Sequence, residues 1–414
     1  MPVWAPGYYQ IMDAPKNVHD FTVTDPLGNP LPWRKEQKNG WLVENGTQRN
    51  LEITYTVYAN DKSVAQSNVN EEKAFLSPNT VFMHVDGQLD KPYTIDIVPW
   101  HGWRTVSTGL PRNAANPRTP FSYTASNADV LYDAPIYIGN QLSIPFTHEG
   151  KSYELAVARP QGFDADAFID CLKKIITQAT LLMGDVPYDF YSFIIMEPGG
   201  GGLEHAHSQA VFSGSSMVFA NEAERNSFLE FITHEYFHLY NVKAIRPIEL
   251  GPFDYDRENY TSQLWISEGL TVYYSYLLME RAGFYTHEKV MQSLQENAQA
   301  YEPYQGQYRM SLKRASYDIW LNFFHWGGNS KETTISYYDK GTVAGYKLDS
   351  AIRAATHDAR SLDHVMRLLY NRFYKEAGRG FTEEEFWGVC EEVAGQPLPQ
   401  VRDFVDYPAV KGNN

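Results

Sequence analysis

The stretch His234-Glu-Tyr-Phe-His238 indicates more about this protein than any other part of its sequence. If the stretch is helical, its two histidines lie one turn apart on the same face, with Cβ atoms about 5–6 Å apart, so both imidazoles reach one metal ion. Two such imidazoles are typical ligands of Zn²⁺. Glu235, next to the first histidine, is placed to bind or deprotonate a water molecule on that metal. The stretch therefore predicts a helix that carries a metal site.

Apolar residues around the motif support this helix. They recur at α-helical spacing and predict a packed helix over about residues 222–242, with the histidines beside the apolar stripe. Three fixed residues in five also occur by chance, so a further ligand must decide between a metal site and a purely structural helix. The residues of the stripe are Phe228, Phe231, Ile232, Leu239 and Val242.

The third ligand is predicted further along the chain. After a connector punctuated by glycine and proline, the sequence continues as Trp265-Ile-Ser-Glu-Gly-Leu-Thr-Val-Tyr-Tyr274. Ser267 is placed to cap a new helix, which would put Glu268 in the first turn. A catalytic zinc ion takes three protein ligands and keeps one position open. His234, His238 and Glu268 therefore form the predicted metal site.

The combination His-Glu-x-x-His with a later Ser-Glu-Gly resembles the gluzincin metallopeptidases. The run from His234 to Pro247, followed by Glu249–Tyr255, is similar to the glycyl aminopeptidase family in particular. The likeness extends to Pro2–Tyr8 and to the C-terminal third, and it implies a zinc metallopeptidase with one Zn²⁺ per chain. Members usually have further β-strands before the Pro-Val-Trp segment and a PDZ domain after the catalytic domain. Neither is found here, so we expect the chain to be trimmed at both ends, naturally or by design.

The segment Gly201-Gly-Leu-Glu-His205 resembles the Gly-x-Met-Glu-Asn segment of related gluzincin aminopeptidases. The resemblance implies that Glu204 holds the free α-amino group of the substrate on an edge strand. Gly201 and Gly202 permit close approach of a peptide backbone, and a carboxylate near the metal pairs with an ammonium group. His205 completes the predicted substrate-binding set, either lining the pocket or lying at the surface.

A tyrosine is expected to stabilise the oxyanion of the tetrahedral intermediate. Tyr338-Asp-Lys-Gly341 resembles the Tyr-x-Lys-Gly segment that supplies this tyrosine in gluzincin aminopeptidases. The resemblance assigns the role to Tyr338 beside the general base Glu235. The register depends on Lys340-Gly341 alone, so Tyr337 remains a rival.

These residues predict a zinc aminopeptidase that acts by attack of metal-activated water. By resemblance, it removes small N-terminal residues, glycine or alanine, from peptides. One alternative is a zinc endopeptidase, in which Glu204 binds no amine. Another is a non-catalytic peptide-binding scaffold, which would require a broken metal site.

The expected fold class is α+β with more than one domain. Residues 1–160 alternate between β-branched or aromatic runs and turn residues, which predicts an N-terminal antiparallel β-domain without a catalytic constellation. Residues 161–414 are expected to form a gluzincin, thermolysin-like, mostly helical catalytic domain, with a helical C-terminal part from about residue 285. The N-terminal strands include Leu51–Tyr58, Thr80–Val85, Tyr93–Val98 and Tyr153–Ala158, and the main helices lie near 163–183, 222–242, 266–282, 288–300, 340–355, 361–375 and 382–393.

Composition excludes several other classes of protein. The formal net charge of −15 disfavours nucleic-acid binding, since the sequence has no basic run to bind phosphates. No apolar stretch reaches the roughly 18–20 residues of a membrane span, and the N-terminus does not resemble a signal peptide. We therefore expect a cytoplasmic protein with a peptide substrate. The sequence does not indicate an oligomeric state.

Overall fold

The computed structural model describes residues 1–47, 49–158, 162–197, 199–213, 217–322 and 327–411. Strands dominate the first half of these residues and helices dominate the second half, as the sequence predicts. The strands are β1 (Val18–Thr24), β2 (Trp33–Gln37), β3 (Gly40–Val43), β4 (Glu52–Val57), β5 (Asn68–Val69), β6 (Ala74–Leu76), β7 (Tyr93–Asp96), β8 (Thr105–Thr108), β9 (Ser122–Ala125), β10 (Ile136–Gly139), β11 (Leu142–His148), β12 (Lys151–Val157), β13 (Phe190–Met196), β14 (Gly202–Glu204) and β15 (Ser208–Phe212).

The helices begin in the N-terminal half with one short element and then follow one another along the chain. They are α1 (Ala128–Tyr132), α2 (Ala165–Met183), α3 (Glu222–Phe237), α4 (Leu270–Arg281), α5 (His287–Tyr301), α6 (Leu312–Tyr317), α7 (Ile319–Asn322), α8 (Ser330–Thr333), α9 (Tyr337–Thr356), α10 (Leu362–Leu369), α11 (Glu383–Ala394) and α12 (Pro399–Asp406). Two π-helical turns, Trp265–Gly269 and Tyr370–Glu376, adjoin α4 and α10. None of the helices in the described ranges is long and apolar enough to cross a membrane.

The N-terminal strands pair antiparallel, which confirms the predicted β-domain. They form a four-stranded sheet in the order β5-β6-β10-β8 and the pairs β1-β4, β2-β3 and β7-β9. The strand expected at Thr80–Val85 is wrong. Pro78 starts a 3₁₀ turn there, and its carbonyl accepts hydrogen bonds from the N–H groups of Val81 and Phe82, so the backbone folds back instead of extending.

A five-stranded mixed sheet supports the second half of the molecule. Its order is β11-β12-β13-β15-β14, with parallel pairing of β13 to both β12 and β15, and antiparallel pairing at both edges. The first two strands precede residue 160 and the others follow it, so this sheet crosses the predicted domain boundary. Strand β14 lies at the sheet edge and ends at Glu204, where its backbone faces the candidate site.

Helix α3 ends five residues before the predicted position. Its last residue is Phe237, and His238 is its C-cap. The apolar pattern misled the prediction because Leu239 and Val242 are buried in the same core although they lie in the turns after the helix. Leu239 already donates its N–H to Tyr236, three residues back, at 3.2 Å.

One large core holds the site in place. Side chains of α2, α3, α4 and β13 are buried together in it, and each fully buried apolar side chain contributes about 1.5–3 kcal/mol. Trp4, near the N-terminus, belongs to this core, is fully buried and donates its indole N–H to the carbonyl of Asp254 at 2.7 Å. The N-terminal segment is thereby fixed against the helical half. Core residues of α3 include Leu229, Ile232, Tyr236 and Phe237.

Candidate active site

Helix α3 presents both histidines of the motif at its C-terminal end. Asn221 begins the helix by accepting a hydrogen bond from the Glu224 N–H at 2.9 Å. The His238 N–H still bonds the carbonyl of His234 at 3.3 Å, so the two histidines keep the helical four-residue relation. Their Nε2 atoms are 3.0 Å apart, and their rings are nearly perpendicular. The two nitrogens therefore converge on one point.

Glu268 reaches the same point from the π-helical turn before α4. Its Oε2 lies 3.2 Å from Nε2 of His238 and 3.5 Å from Nε2 of His234. Ligands about 2.0–2.1 Å from a tetrahedral zinc ion are about 3.3 Å from one another, so these three atoms fit such an ion. The expected capping role of Ser267 is wrong. Ser267 lies inside the π-helical turn, and its buried hydroxyl has no partner among the described residues.

The second ring nitrogen of His238 is also accounted for. Nδ1 donates to the backbone carbonyl of Asn241 at 2.8 Å, which leaves Nε2 to face Glu268 and to bind a metal ion once it is deprotonated. The side chain of Asn241 in turn donates to the carbonyl of Ile266 at 2.7 Å and to Oγ1 of Thr271 at 3.0 Å. Asn241 therefore ties the end of α3 to the turn that carries Glu268.

The buried charges of the site oppose one another. Burial lowers the pKa of His234, and the nearby His238 lowers it further. Burial also lowers the pKa of His238, but Glu268 outweighs burial and raises that pKa to about 10. Burial is the largest influence on the pKa of Glu268 and raises it, yet the two imidazoles together hold this pKa below its usual range. In the absence of a metal ion, the His238–Glu268 pair therefore holds a proton, and a divalent cation that binds there would displace it.

Glu235 is the buried carboxylate beside this cluster. It is 5% exposed, and no other described residue donates a hydrogen bond to it. Burial raises its pKa to about 8. The backbone of Gly202 lies so close that a side chain there would overlap the carboxylate. Glu235 is thus held next to the edge strand, and the raised pKa makes its carboxylate form a stronger base than an exposed glutamate.

Glu204 lies within reach of the same groups. The distances between one ligand atom of Glu204, one of Glu235 and one of His238 are all within 4.8 Å. Gly201, Gly202 and Glu204 line a cavity of about 240 Å³ together with the three candidate metal ligands. The structure thus brings a third carboxylate to the site at the end of an edge strand.

Tyr338 lines this cavity from the first turn of α9, and its ring centroid lies 6.4 Å from that of His234. Tyr337 is 3% exposed and stacks on Tyr338 with centroids 4.8 Å apart. Burial raises the pKa of both phenols well above the ordinary value, so both stay protonated donors. The glycine of the motif has a packing role, because Gly341 lies against Gly269, the residue after Glu268.

The N-terminal half, whose sequence shows no catalytic constellation, contributes to the lining of the site. Gly7 and Tyr8 line the cavity, as do residues 62–64. Gly7 has φ +87°, and a Cβ there would come within 2.6 Å of Oε1 of Glu204. The Pro2–Tyr8 segment was visible as a family resemblance, but no local pattern placed it beside Glu204.

His205 lies beside the site, but its side chain contacts Asp133 instead of lining the cavity. Its Nδ1 is 3.2 Å from Oδ1 of Asp133, and it is not among the described residues that line the cavity. Asp133 also accepts hydrogen bonds from the Ala206 N–H and from Lys243, both at 2.8 Å. The structure therefore brings together all the predicted site residues except His205, which belongs to a neighbouring charge cluster.

Solved structures share this fold. An aminopeptidase N family protein from Idiomarina loihiensis superimposes with a TM-score of 0.93 and 27% identity, covering 99% of this chain and 71% of that one. An M1 zinc metallopeptidase from Deinococcus radiodurans superimposes with a TM-score of 0.56 and 11% identity, covering 95% of this chain and 84% of that one. Yeast LTA4 hydrolase superimposes with a TM-score of 0.55 and 14% identity, covering 96% of this chain and 62% of that one. The last two are too distant to show more than the fold. None of the curated protein sequences matches significantly.

Sequence families match both halves of the chain. Residues 1–140 match the Peptidase M61 N-terminal domain, and residues 227–344 match the M61 glycyl aminopeptidase domain, which contains the two histidines and Glu268. The resemblance drawn from the motifs is thereby confirmed, and so is the prediction of a zinc-dependent hydrolase of peptide bonds. The chain belongs to the M61 glycyl aminopeptidase family and is a zinc metallopeptidase.

Proposed function

We propose that this chain removes glycine or alanine from the N-terminus of peptides. The observation that carries this proposal is the short span between Glu204, Glu235 and His238, whose ligand atoms lie within 4.8 Å of one another. In a peptide, the α-nitrogen is two bonds from the first carbonyl carbon, whereas the next residue lies about 3.8 Å further along. An ammonium held by Glu204 therefore presents the first peptide bond to Glu235.

His234, His238 and Glu268 would hold one Zn²⁺ per chain. Their ligand atoms are 3.0 to 3.5 Å apart, and the hydrogen bond from His238 to Asn241 fixes the ring in the tautomer that a metal requires. When bound, zinc supplies Lewis-acid polarisation of the scissile carbonyl and lowers the pKa of water toward about 7.

The remaining groups act on the substrate directly. Glu235 accepts the proton of the attacking water and passes it to the leaving amine, a role that its burial and the lack of hydrogen-bond donors among the described residues around it favour. The hydroxyl of Tyr338 donates a hydrogen bond to the oxyanion that develops on the carbonyl. Glu204 accepts hydrogen bonds from the α-ammonium and so limits cleavage to the first bond.

The preference for a small first residue is supported by the walls around Glu204. Gly7 covers its carboxylate, Gly201 and Gly202 form the neighbouring wall, and the whole cavity measures about 240 Å³. Pockets for larger ligands usually measure about 300–1,000 Å³. We infer that a substrate side chain much larger than a methyl group has too little room in a cavity of this size.

The test compares a peptide with N-terminal glycine, its N-acetylated form, and the same peptide with N-terminal alanine or leucine. We expect the free glycyl and alanyl peptides to be cleaved fastest and the acetylated peptide to lose at least about 100-fold in kcat/KM. Equal rates with and without acetylation would indicate an endopeptidase. Elemental analysis of the purified protein should give about one zinc per chain; much less zinc, with no activity after zinc is added, would indicate the scaffold alternative.

A further inference from the structure

A second cluster of buried charges adjoins Glu204. Nζ of Lys243 lies 2.8 Å from Oδ1 of Asp133 and 3.7 Å from Oε1 of Glu204. The three side chains are only 12%, 17% and 6% exposed, respectively. One ammonium group therefore serves two carboxylates, and it forms a hydrogen bond with only one of them.

The three residues come from distant parts of the chain. Asp133 is the C-cap of the short helix α1 in the N-terminal half. Lys243 lies in the turns after α3, where its N–H bonds the carbonyl of His238 at 3.0 Å. Glu204 ends the edge strand β14. The cluster thus joins the N-terminal half to both elements that carry the candidate active site.

Asp133 is the fixed member of this cluster. Its Oδ2 accepts the Ala206 N–H at 2.8 Å, and its Oδ1 faces Nδ1 of His205 at 3.2 Å. Burial raises the pKa of Asp133, but Lys243 and His205 outweigh burial and hold it well below the usual range. Burial lowers the pKa of Lys243, but the two carboxylates raise it above its ordinary value. Both groups therefore remain charged.

The ammonium of Lys243 is chemically equivalent to the group that Glu204 is proposed to bind. If it moved less than 1 Å closer, it would hydrogen-bond the Glu204 carboxylate and compete with the substrate. A cavity of about 160 Å³ is lined by Gly7, Asp133, Glu204 and Lys243 and leaves the lysine room for this shift. The ion pair with Asp133 opposes it.

We propose that Asp133 is a positioning residue that holds Lys243 off Glu204, so that Glu204 stays available to the α-ammonium of the substrate. This inference rests on the proposed function, in which Glu204 binds that ammonium. Lys243 balances the buried charge of both carboxylates before substrate arrives. When the substrate binds, its ammonium supplies Glu204 with a cation, and Lys243 remains with Asp133.

The test compares Asp133→Asn, Lys243→Met and the double variant, all loaded with zinc. The asparagine keeps an oxygen that accepts the Ala206 N–H but lacks the charge that holds Lys243. We expect Asp133→Asn to raise KM for a glycyl peptide by about 10- to 100-fold while kcat changes by less than about threefold. In the double variant the competitor is absent, so KM should return to within about threefold of the wild-type value.

The matched control is Asp129→Asn. Asp129 lies on α1 and lines the same cavity, but its carboxylate accepts a hydrogen bond from Tyr255 at 2.6 Å. We expect its KM to stay within about threefold of wild type. Zinc content, measured by elemental analysis, should be the same in all four variants.

An unchanged KM in Asp133→Asn, or an equally raised KM in the double variant, would overturn the inference, because a merely structural ion pair would not be rescued by removing Lys243. If Asp133→Asn does not fold, binding of glycinamide to Lys243→Met decides: affinity at or above wild type supports the inference, and weaker binding contradicts it. The proposed function fails separately, when the wild-type enzyme cleaves acetylated and free peptides equally.

Discussion

His238 donates its Nδ1 proton to the backbone carbonyl of Asn241, only three residues further along the chain, at 2.8 Å. This contact orients the imidazole without help from any distant side chain. The side chain of Asn241 then bonds the carbonyl of Ile266, two residues before Glu268. One residue thus positions two of the three candidate metal ligands, one through its backbone and the other through its amide.

Replacing Asn241 by alanine should weaken zinc binding. The carbonyl of Ile266 would lose its buried donor, and the turn that carries Glu268 would lose its tie to α3. Changes to groups that orient metal ligands typically cost about 10- to 100-fold in metal affinity. We expect a loss of this size when zinc is titrated against a chelator of known affinity.

Asn297→Ala is the matched control for this variant. Asn297 is also buried, and its amide donates to Tyr276 and Ser293, both at 2.8 Å, but it lies on α5. Both variants should lower the free energy of unfolding by about 1–3 kcal/mol, and only Asn241→Ala should change zinc affinity. Equal zinc affinities in the two variants would show that Asn241 stabilises the fold alone.

Glu235→Gln should keep zinc and lose turnover. The amide has the size of the carboxylate but cannot accept the proton of the attacking water. We expect kcat to fall by about 10²–10⁴-fold, measured on a glycyl peptide, with zinc near one per chain. Glu230→Gln, five residues earlier on α3 and with a carboxylate that accepts a hydrogen bond from Tyr285, should retain activity. Full activity in Glu235→Gln would refute the general-base role.

The buried carboxyl group of Glu235 also predicts a pH dependence of stability. In the metal-free protein its pKa is raised by burial to about 8, against an ordinary value of 4.5. Between these values the folded protein binds more protons than the unfolded chain, so the free energy of unfolding falls as pH rises. The slope from one group is at most about 1.4 kcal/mol per pH unit.

Urea unfolding of metal-free wild type and Glu235→Gln across this window measures the effect. His238 contributes a slope of the same sign, from its ordinary pKa of 6.5 to about 10, but it is present in both proteins. The variant should therefore gain stability relative to wild type as pH increases. Parallel pH curves would contradict the assignment of a raised pKa to Glu235.

Tyr338→Phe and Tyr337→Phe distinguish the two candidate oxyanion donors. Tyr338 lines the cavity beside His234, whereas Tyr337 is buried and stacked on it. Loss of an oxyanion donor costs about 10²–10³-fold in kcat. We expect this loss in steady-state kinetics of Tyr338→Phe, with little change in KM. If Tyr337→Phe loses more activity, the register inferred from Lys340-Gly341 is wrong.

The sequence predicted well those features that depend on local spacing. The i, i+4 histidines and the helix near residues 163–183 produce periodic patterns that survive folding, because they arise within one element. In the structure this helix, α2, is capped by Asp164, which accepts the Ala167 N–H at 3.0 Å. The end of α3 was missed because the buried residues Leu239 and Val242 continue the apolar pattern in non-helical turns.

Contacts between distant segments left no such pattern. Asp133 and Lys243 are 110 residues apart, and neither has a spacing that would signal the other. The acceptor for His238 is a backbone carbonyl, which every residue possesses, so side-chain identity could not reveal it. Gly7 was visible only through family resemblance. Its proximity to Glu204 became evident only in the structure, where the N-terminal segment lies against the end of β14.

Gly7→Ala should impair binding of the substrate amine. The residue has φ +87°, which disfavours alanine, and the new Cβ would lie within 2.6 Å of Oε1 and 2.9 Å of Oε2 of Glu204. Either the carboxylate or the segment around Gly7 must move, since Leu203 is also in the way at 2.7 Å. We expect KM for a glycyl peptide to rise by about tenfold or more, with unchanged zinc content.

Gly28→Ala separates the two causes of this effect. Gly28 has φ +84°, almost the same backbone conformation, but no atom lies within 4 Å of its added Cβ. In both variants the conformational strain should lower the free energy of unfolding by about 1–2 kcal/mol. Only Gly7→Ala introduces the collision with Glu204. A KM that rises equally in both variants, or in neither, would mean that the N-terminal segment does not shape the amine-binding site.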